Sequence, residues 1–251
     1  MKEDIGHATG STDHRYEGAL KEDAERRCQV TLMFSDLSEY TKLSESIDPE
    51  DINLVRRRVE RLARQVIHRH QGQINQFVGD GVLAVFGLES ADEDSVRKAV
   101  DAALELHERV NALKWDEHPL ASVRVALHTG IHAGLVFARR GDRRHGDFEL
   151  TGDALNTASR LCTNAGKGQI LISKSTLQGF EAFFEVTSPE PLQLKGKEHP
   201  VLACRVLGRS AVTSRYEART LRGLTPFVGR AAELELLERG LRAAGRRRGR
   251  R

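Results

Sequence analysis

The sequence predicts an α+β sandwich, a sheet with helices packed on one side. Three observations carry this. Short apolar runs of strand type alternate with amphipathic stretches of helical period. One tight turn, Gly79-Asp80-Gly81, joins two strand-like runs as a hairpin. The length, 251 residues, suits one large domain or one domain plus a tail.

The elements follow in order. Residues 1–28 are a polar lead-in without the apolar centre of a signal peptide. Residues 29–34 read as a buried strand. Asp48-Pro49-Glu50-Asp51 opens a helix, with Asp as N-cap, Pro at the first helical position and acids in the first turn. Ile52, Val55, Val59, Leu62 and Val66 form its apolar face, Arg56, Arg57, Glu60, Arg61 and Arg64 its solvated face, and Gln71-Gly72 its end. After the hairpin, a second helix follows residues 89–94, with Val96, Ala99, Val100, Ala103, Leu104 and Val110 on one side. Residues 122–127 are expected as a strand running into a Thr129-Gly130 turn and then residues 133–137. Residues 139–147 read as a polar basic loop, and 152–163 as a short helix. Then come a strand (169–173), a short helix (175–180) and late strands (183–187, 192–194, 201–207).

The net charge is only +3, and much of the excess lies in Arg242, Arg246, Arg247, Arg248, Arg250 and Arg251. A nucleic-acid role for the body of the chain is therefore not suggested, and no specific nucleic-acid partner is expected. Cys28, Cys162 and Cys204 are scattered and odd in number, which fits neither a disulfide framework nor a paired metal site. They suit a reducing compartment. No run approaches a membrane span. A cytoplasmic location and no membrane partner are the expectation.

Two aspartates draw the chemistry. Asp36 ends the run Val30-Thr31-Leu32-Met33-Phe34-Ser35, and Asp80 sits at the hairpin tip. If those strands are neighbours, both carboxylates reach one sheet edge and could hold Mg²⁺ or Mn²⁺. Each Asp taken alone equally suits a turn. Asn156 and Arg160, four residues apart, share a helix face. Leu155, Ala158, Leu161 and Cys162 take the opposite, buried side.

Four motifs in order carry a resemblance: Phe34-Ser35-Asp36-Leu37-Ser38, Val78-Gly79-Asp80, the run from Gly152 to Leu161, and Leu194-Lys195-Gly196-Lys197. Together they resemble the catalytic domain of class III nucleotidyl cyclases, the adenylyl and guanylyl cyclases, over roughly residues 29–208. The Gly-Gly-Asp/Glu-Glu-Phe signature of diguanylate cyclases is absent. The resemblance implies a ferredoxin-like βαββαβ sandwich with extra C-terminal strands. It implies a lyase making a cyclic nucleotide and pyrophosphate for signal transduction, with two Mg²⁺ or Mn²⁺ per site. The metals would be held by Asp36, Asp80 and the main-chain carbonyl of Leu37. Asn156 would orient the ribose, Arg160 would stabilise the pentavalent phosphorus, and Lys195 would close on the phosphates. Arg144 falls where many members place a phosphate-binding arginine, with Arg139, Arg140 and Arg143 as competitors. The resemblance also implies a head-to-tail homodimer, because the metal aspartates and the Asn/Arg pair come from different protomers.

Gln76 and Glu149 occupy the base-recognition positions. A Gln amide can donate to adenine N1, and a Glu carboxylate can accept from N6. Opposite guanine O6, Glu149 would face an acceptor. ATP is therefore the expected nucleoside triphosphate and adenylate cyclase the expected activity. Glu39 departs from the pattern, because it stands where the family usually has Gly. With Gln76 and Glu149 it keeps an alternative open: a catalytically weak or inactive domain that binds nucleotide and regulates an attached ATPase by dimerising.

Residues 209–224 read as a polar linker. From residue 225, Leu224-Thr225-Pro226-Phe227-Val228-Gly229-Arg230 resembles the opening of an AAA/STAND-type NTPase module, here a truncated start or a basic tail. Alone it is expected to form a frayed helix with Leu234, Leu237 and Leu241 exposed. His128 and His132 are read across a strand and a turn and are not taken as a zinc site.

Overall fold

The computed structural model describes residues 26–89, 92–115, 123–140, 148–221 and 229–248. The chain begins with β1 (Arg26–Leu37), α1 (Tyr40–Ser46), α2 (Pro49–Arg69) and the hairpin β2 (Gln73–Val78)–β3 (Gly81–Phe86). It continues with α3 (Ser95–Asn111), β4 (Leu127–Arg140), β5 (Phe148–Thr151), α4 (Asp153–Asn164) and β6 (Ile170–Ser173). It then runs through α5 (Lys174–Leu177), β7 (Phe184–Val186), β8 (Glu190–Leu192), β9 (Val201–Arg209), α6 (Arg215–Leu221) and α7 (Ala231–Arg248). The sheet order is β2-β3-β1-β4-β6-β9-β7, with β5 on β4 and β8 on β9. β4 and β6 are parallel; the other ladders are antiparallel.

Helices cover both faces of this sheet, which corrects the one-sided expectation. Successive side chains of a strand alternate between faces. Met33 joins a core with Val55, Val59 and Val66 of α2 and with Val100 and Ala103 of α3. Val30 and Leu32 instead join Val136, Ala154 and Ala158, so α4 packs on the opposite face. Helical period says that a helix has an apolar stripe, but not which face of a sheet receives it.

The strand expected at residues 122–127 is displaced. Residues 123–126 are irregular, and β4 then runs unbroken from Leu127 to Arg140, straight through Thr129-Gly130. His128 and His132 therefore lie on one strand rather than across a strand and a turn. Arg139 and Arg140 belong to β4 and not to a loop. The glycines that suggested a turn serve close approach instead. A Cβ on Gly130 would stand 2.1 Å from the Cys162 nitrogen and 2.4 Å from the Ala158 oxygen. A Cβ on Gly134 would stand 2.7 Å from that of Ala154. Gly130→Ala is accordingly expected to lower the unfolding free energy by about 3 kcal/mol or more, measured by chemical denaturation.

Smaller departures have local causes. Asp48 occupies the N-cap of α2 without a side-chain cap hydrogen bond, while Pro49 stands at its start as expected. Gln71, not Gly72, takes the left-handed conformation (φ 59°) that ends the helix. Gly72 is needed for space, since a Cβ there would meet the Phe86 ring at 2.4 Å. The linker holds a helix, α6, whose Ala218 is buried and whose Arg215 pairs with Glu93 and Asp94. In α7, Leu234, Leu236, Leu237 and Leu241 are exposed. No helix among the described residues is long and apolar enough to cross a membrane.

Candidate active site

Asp36 lies near the end of β1, on the α4 face, opposite His128 in the β1–β4 ladder. Asp80 follows Gly79 in the turn between β2 and β3. Because β3 pairs with β1 (Ser35 opposite Val82), the turn comes to rest beside Asp36. Gly81 permits the approach: a Cβ there would lie 3.0 Å from Asp36 Oδ1. The Asp80 carboxyl is close enough to Asp36 to act on its charge. Burial first, then the hydrogen bond and charge of Asp80, push the Asp36 carboxyl up to about 7. Partly offsetting this, the Leu37 N–H donates to Asp36 Oδ1 at 3.0 Å. The fold brings Asp36, Leu37 and Asp80 to one end of the sheet.

The surroundings hold this strand end firmly. Ser38 Oγ lies 3.2 Å from His128 Nδ1. Cys162 Sγ donates to the His128 carbonyl at 3.3 Å, and burial pushes its thiol up to about 12. On the other face, Ser35 Oγ, Thr129 Oγ1 and His107 Nε2 form a buried chain with two 2.7 Å contacts. Burial drives His107 down to about 4, so it is neutral at physiological pH. His128 is also held below its usual range by burial, partly offset by the Asp80 charge. Sequence reasoning missed His107 and His128 as neighbours of the site. The β1–β4 register places His128 and the packing of α3 against Thr129 places His107, and both are long-range properties.

Asn156 and Arg160 form the second cluster. Both lie on α4, Asn156 exposed and Arg160 half-buried, while Ala154, Thr157, Ala158, Leu161 and Cys162 face the sheet. Leu155, expected on the buried side, is only half-buried. The Lys195-Gly196-Lys197 turn lies against Arg160: a Cβ on Gly196 (φ 75°) would stand 3.3 Å from Arg160 Nη2. Lys195 is exposed, whereas Lys197 pairs with Asp153 and holds that carboxyl below its usual range.

The base-recognition positions are less united. Gln76 is exposed on β2, at a register shift against β3. Glu149 is exposed on β5 and ion-paired with Arg139, its partner in the β4–β5 ladder. Three strands, β3, β1 and β4, intervene between them in hydrogen-bonding order. Arg144 and its competitor Arg143 lie outside the described residues. Glu39 keeps the backbone that Gly would favour, with φ 61° and ψ 26°. Its carboxylate is met by Lys167 Nζ at 2.7 Å.

The carboxylate pair fits a divalent cation. Two acidic oxygen-bearing groups lie side by side, and a cation between them would offset the burial and the like charge that raise the Asp36 carboxyl. Among the described residues no group of three or more His, Cys, Asp and Glu side chains could hold a metal. Oxygen ligands beyond the two carboxylates would come from main-chain carbonyls and from the phosphates of a nucleotide.

Comparison with known proteins identifies the family and the fold. The family model described as Adenylate and Guanylate cyclase catalytic domain matches residues 22–204. Adenylate cyclase 1 of Rhizobium meliloti (strain 1021) is 32% identical over 136 residues, 54% of this chain and 20% of that protein. Receptor-type guanylate cyclase gcy-7 of Caenorhabditis elegans is 29% identical over 173 residues, 67% of this chain and 15% of that protein. The chain thus spans a fifth or less of these two relatives. The crystal structure of the adenylyl cyclase CyaB from P. aeruginosa shares the fold, with a TM-score of 0.69 at 23% identity over 76% of this chain and all of that one. The fold and the carboxylate pair define an α+β catalytic domain of the nucleotidyl cyclase type. The chain belongs to the class III adenylyl and guanylyl cyclase family.

Proposed function

We propose that this chain is a purine nucleotide cyclase that converts ATP to cyclic AMP and pyrophosphate in a homodimer with two composite sites. The Asp36–Asp80 carboxylate pair at the end of β1 carries this reading. In the reaction the ribose 3′ oxygen loses its proton and bonds to the α-phosphorus, while the bond to pyrophosphate breaks. Asp36, Asp80 and the Leu37 carbonyl would hold Mg²⁺ or Mn²⁺, which when bound neutralise phosphate charge and make the attacking hydroxyl more acidic. The remaining work is positioning. From the partner protomer, the Asn156 amide orients the ribose and the Arg160 guanidinium meets charge building on the α-phosphoryl oxygens. Lys195 adds a mobile charge near the leaving phosphates, and Arg144 is assigned the same task from the basic segment.

Adenine is chosen by Gln76 donating to N1 and Glu149 accepting from N6. Glu149 must share its carboxylate between Arg139 and the base. Similarity to both adenylate and guanylate cyclases leaves the family match neutral on the base, so the reading for ATP rests on the chemistry of Gln76 and Glu149. The test is to incubate the protein with Mn²⁺ and either ATP or GTP and to quantify both cyclic products beside an Asp80→Ala control. Cyclic AMP should dominate, and Glu149→Ala should erode the preference by about five- to a hundredfold. Mainly cyclic GMP would refute the base assignment. Equal product from wild type and control would refute the enzyme.

Glu39 favours a second reading, a weakly active domain that binds nucleotide and regulates by dimerising. The same assay decides between the two. We read α7 as the lead-in to an NTPase module that the cyclase domain serves as a cytoplasmic signalling unit.

A further inference from the structure

Glu39 poses a charge problem at the nucleotide end of the molecule. It stands three residues after Asp36 and opens α1, its backbone fixed in the left-handed region. A bound triphosphate would bring several negative charges to this end. The Glu39 carboxylate does not stand alone there. Lys167 Nζ lies 2.7 Å from its Oε2, across 128 residues of sequence.

Lys167 is presented by a braced loop between α4 and β6. The Gly168 N–H donates to the Leu127 carbonyl at 2.8 Å, the Gln169 N–H to Gly166 at 2.9 Å, and the Thr129 N–H to Gln169 at 2.9 Å. The loop is thus tied to the start of β4, beside the strand that carries Asp36. Both partners are largely exposed, at 54% and 45% of their side chains. An exposed pair of this kind adds little to stability. Its effect lies in the local field.

We propose that Lys167 is a positioning residue that masks the Glu39 carboxylate, so that the polyphosphate of a nucleoside triphosphate can settle beside Asp36 and Asp80. The proposal rests on the nucleotide site described under Proposed function. Lys167 acts through Glu39 and does not itself contact the nucleotide. The pair also helps a carboxylate to be tolerated at this turn: a cation from the loop after α4 meets it.

The probe is 3′-deoxy-ATP with Mn²⁺, which lacks the attacking hydroxyl and so binds without turnover. Titration calorimetry on the full chain reads its dissociation constant. Lys167→Met should weaken binding by about five- to tenfold, because the Glu39 charge then loses its Lys167 counter-charge and acts more strongly at short range through partly wet protein. Lys167→Arg should bind as wild type does. The double variant Glu39→Gln/Lys167→Met should return to within about twofold of wild type. With ATP, Lys167→Met should raise KM and leave kcat unchanged. The thermal midpoint should be the same for all three variants, which a structural role would not allow. A double variant as weak as Lys167→Met would mean that Lys167 touches the nucleotide, and would overturn the proposal. So would wild-type binding by Lys167→Met. Failure of the wild type to bind the probe would overturn the ATP-site reading and this proposal with it.

Discussion

Asp36→Asn is expected to abolish cyclic nucleotide formation and, at the same time, to stabilise the metal-free protein above pH 7. The two effects share one cause. In the folded chain the Asp36 carboxyl is pushed up to about 7 by burial and by Asp80, against a reference value of 3.8. A carboxyl with a raised folded pKa binds more protons folded than unfolded between those values. Stability of the metal-free protein therefore falls as pH rises from about 4 to about 7, and the full penalty persists above. The amide of Asn keeps the shape and removes the charge. It should return roughly 1–2 kcal/mol at pH 8 and nothing at pH 4. The same charge is what a divalent cation would use. Activity should drop by at least about 10²–10³-fold. Thermal melting with and without Mn²⁺ from pH 5 to pH 8 checks both halves. In the wild type, stabilisation by Mn²⁺ should grow with pH through this window, because the proton must leave before the cation binds. In Asp36→Asn that growth should be lost.

Arg160→Ala is expected to lower kcat by about 10²–10³-fold, the loss of one strong stabiliser of developing charge, or about 3–4 kcal/mol. The guanidinium is half-buried beside Gly196, and the buried side of α4 is Ala154, Thr157, Ala158, Leu161 and Cys162. Trimming Arg160 leaves that packing intact, so the melting temperature should change little. KM should change less than kcat, since in the proposed site the contact would strengthen as the phosphorus becomes pentavalent. Single-turnover measurement of cyclic product separates this from a simple loss of binding.

What the sequence revealed follows from where the signals are local. Asp80 sits in a Gly-Asp-Gly turn between two apolar strands, and Asp36 ends an apolar run, so their meeting needed only adjacent strands. Asn156 and Arg160 are one helical turn apart, so a shared face follows from period alone. The course of β4 was not legible, because Gly130 looks like a turn residue, whereas it and Gly134 are in fact the seat of α4. A glycine kept for a neighbour's backbone cannot be told from one kept for its own conformation without that neighbour. The placement of α4 on the second face was hidden for the same reason. So were the His107–Thr129–Ser35 chain and the Glu39–Lys167 pair, whose partners lie far apart in sequence. The carboxylate of Glu39 was visible from the start, but the lysine that meets it was not.

The central claim is that the carboxylates of one protomer work with the amide and guanidinium of the other. Mixing Asp36→Asn protein with Arg160→Ala protein, after subunit exchange, tests it directly. Each variant alone should be nearly inactive. An equimolar mixture should recover about a quarter of wild-type activity, since about half the dimers are mixed and each of those holds one intact site of two. A mixture no more active than the two variants measured separately would contradict the account.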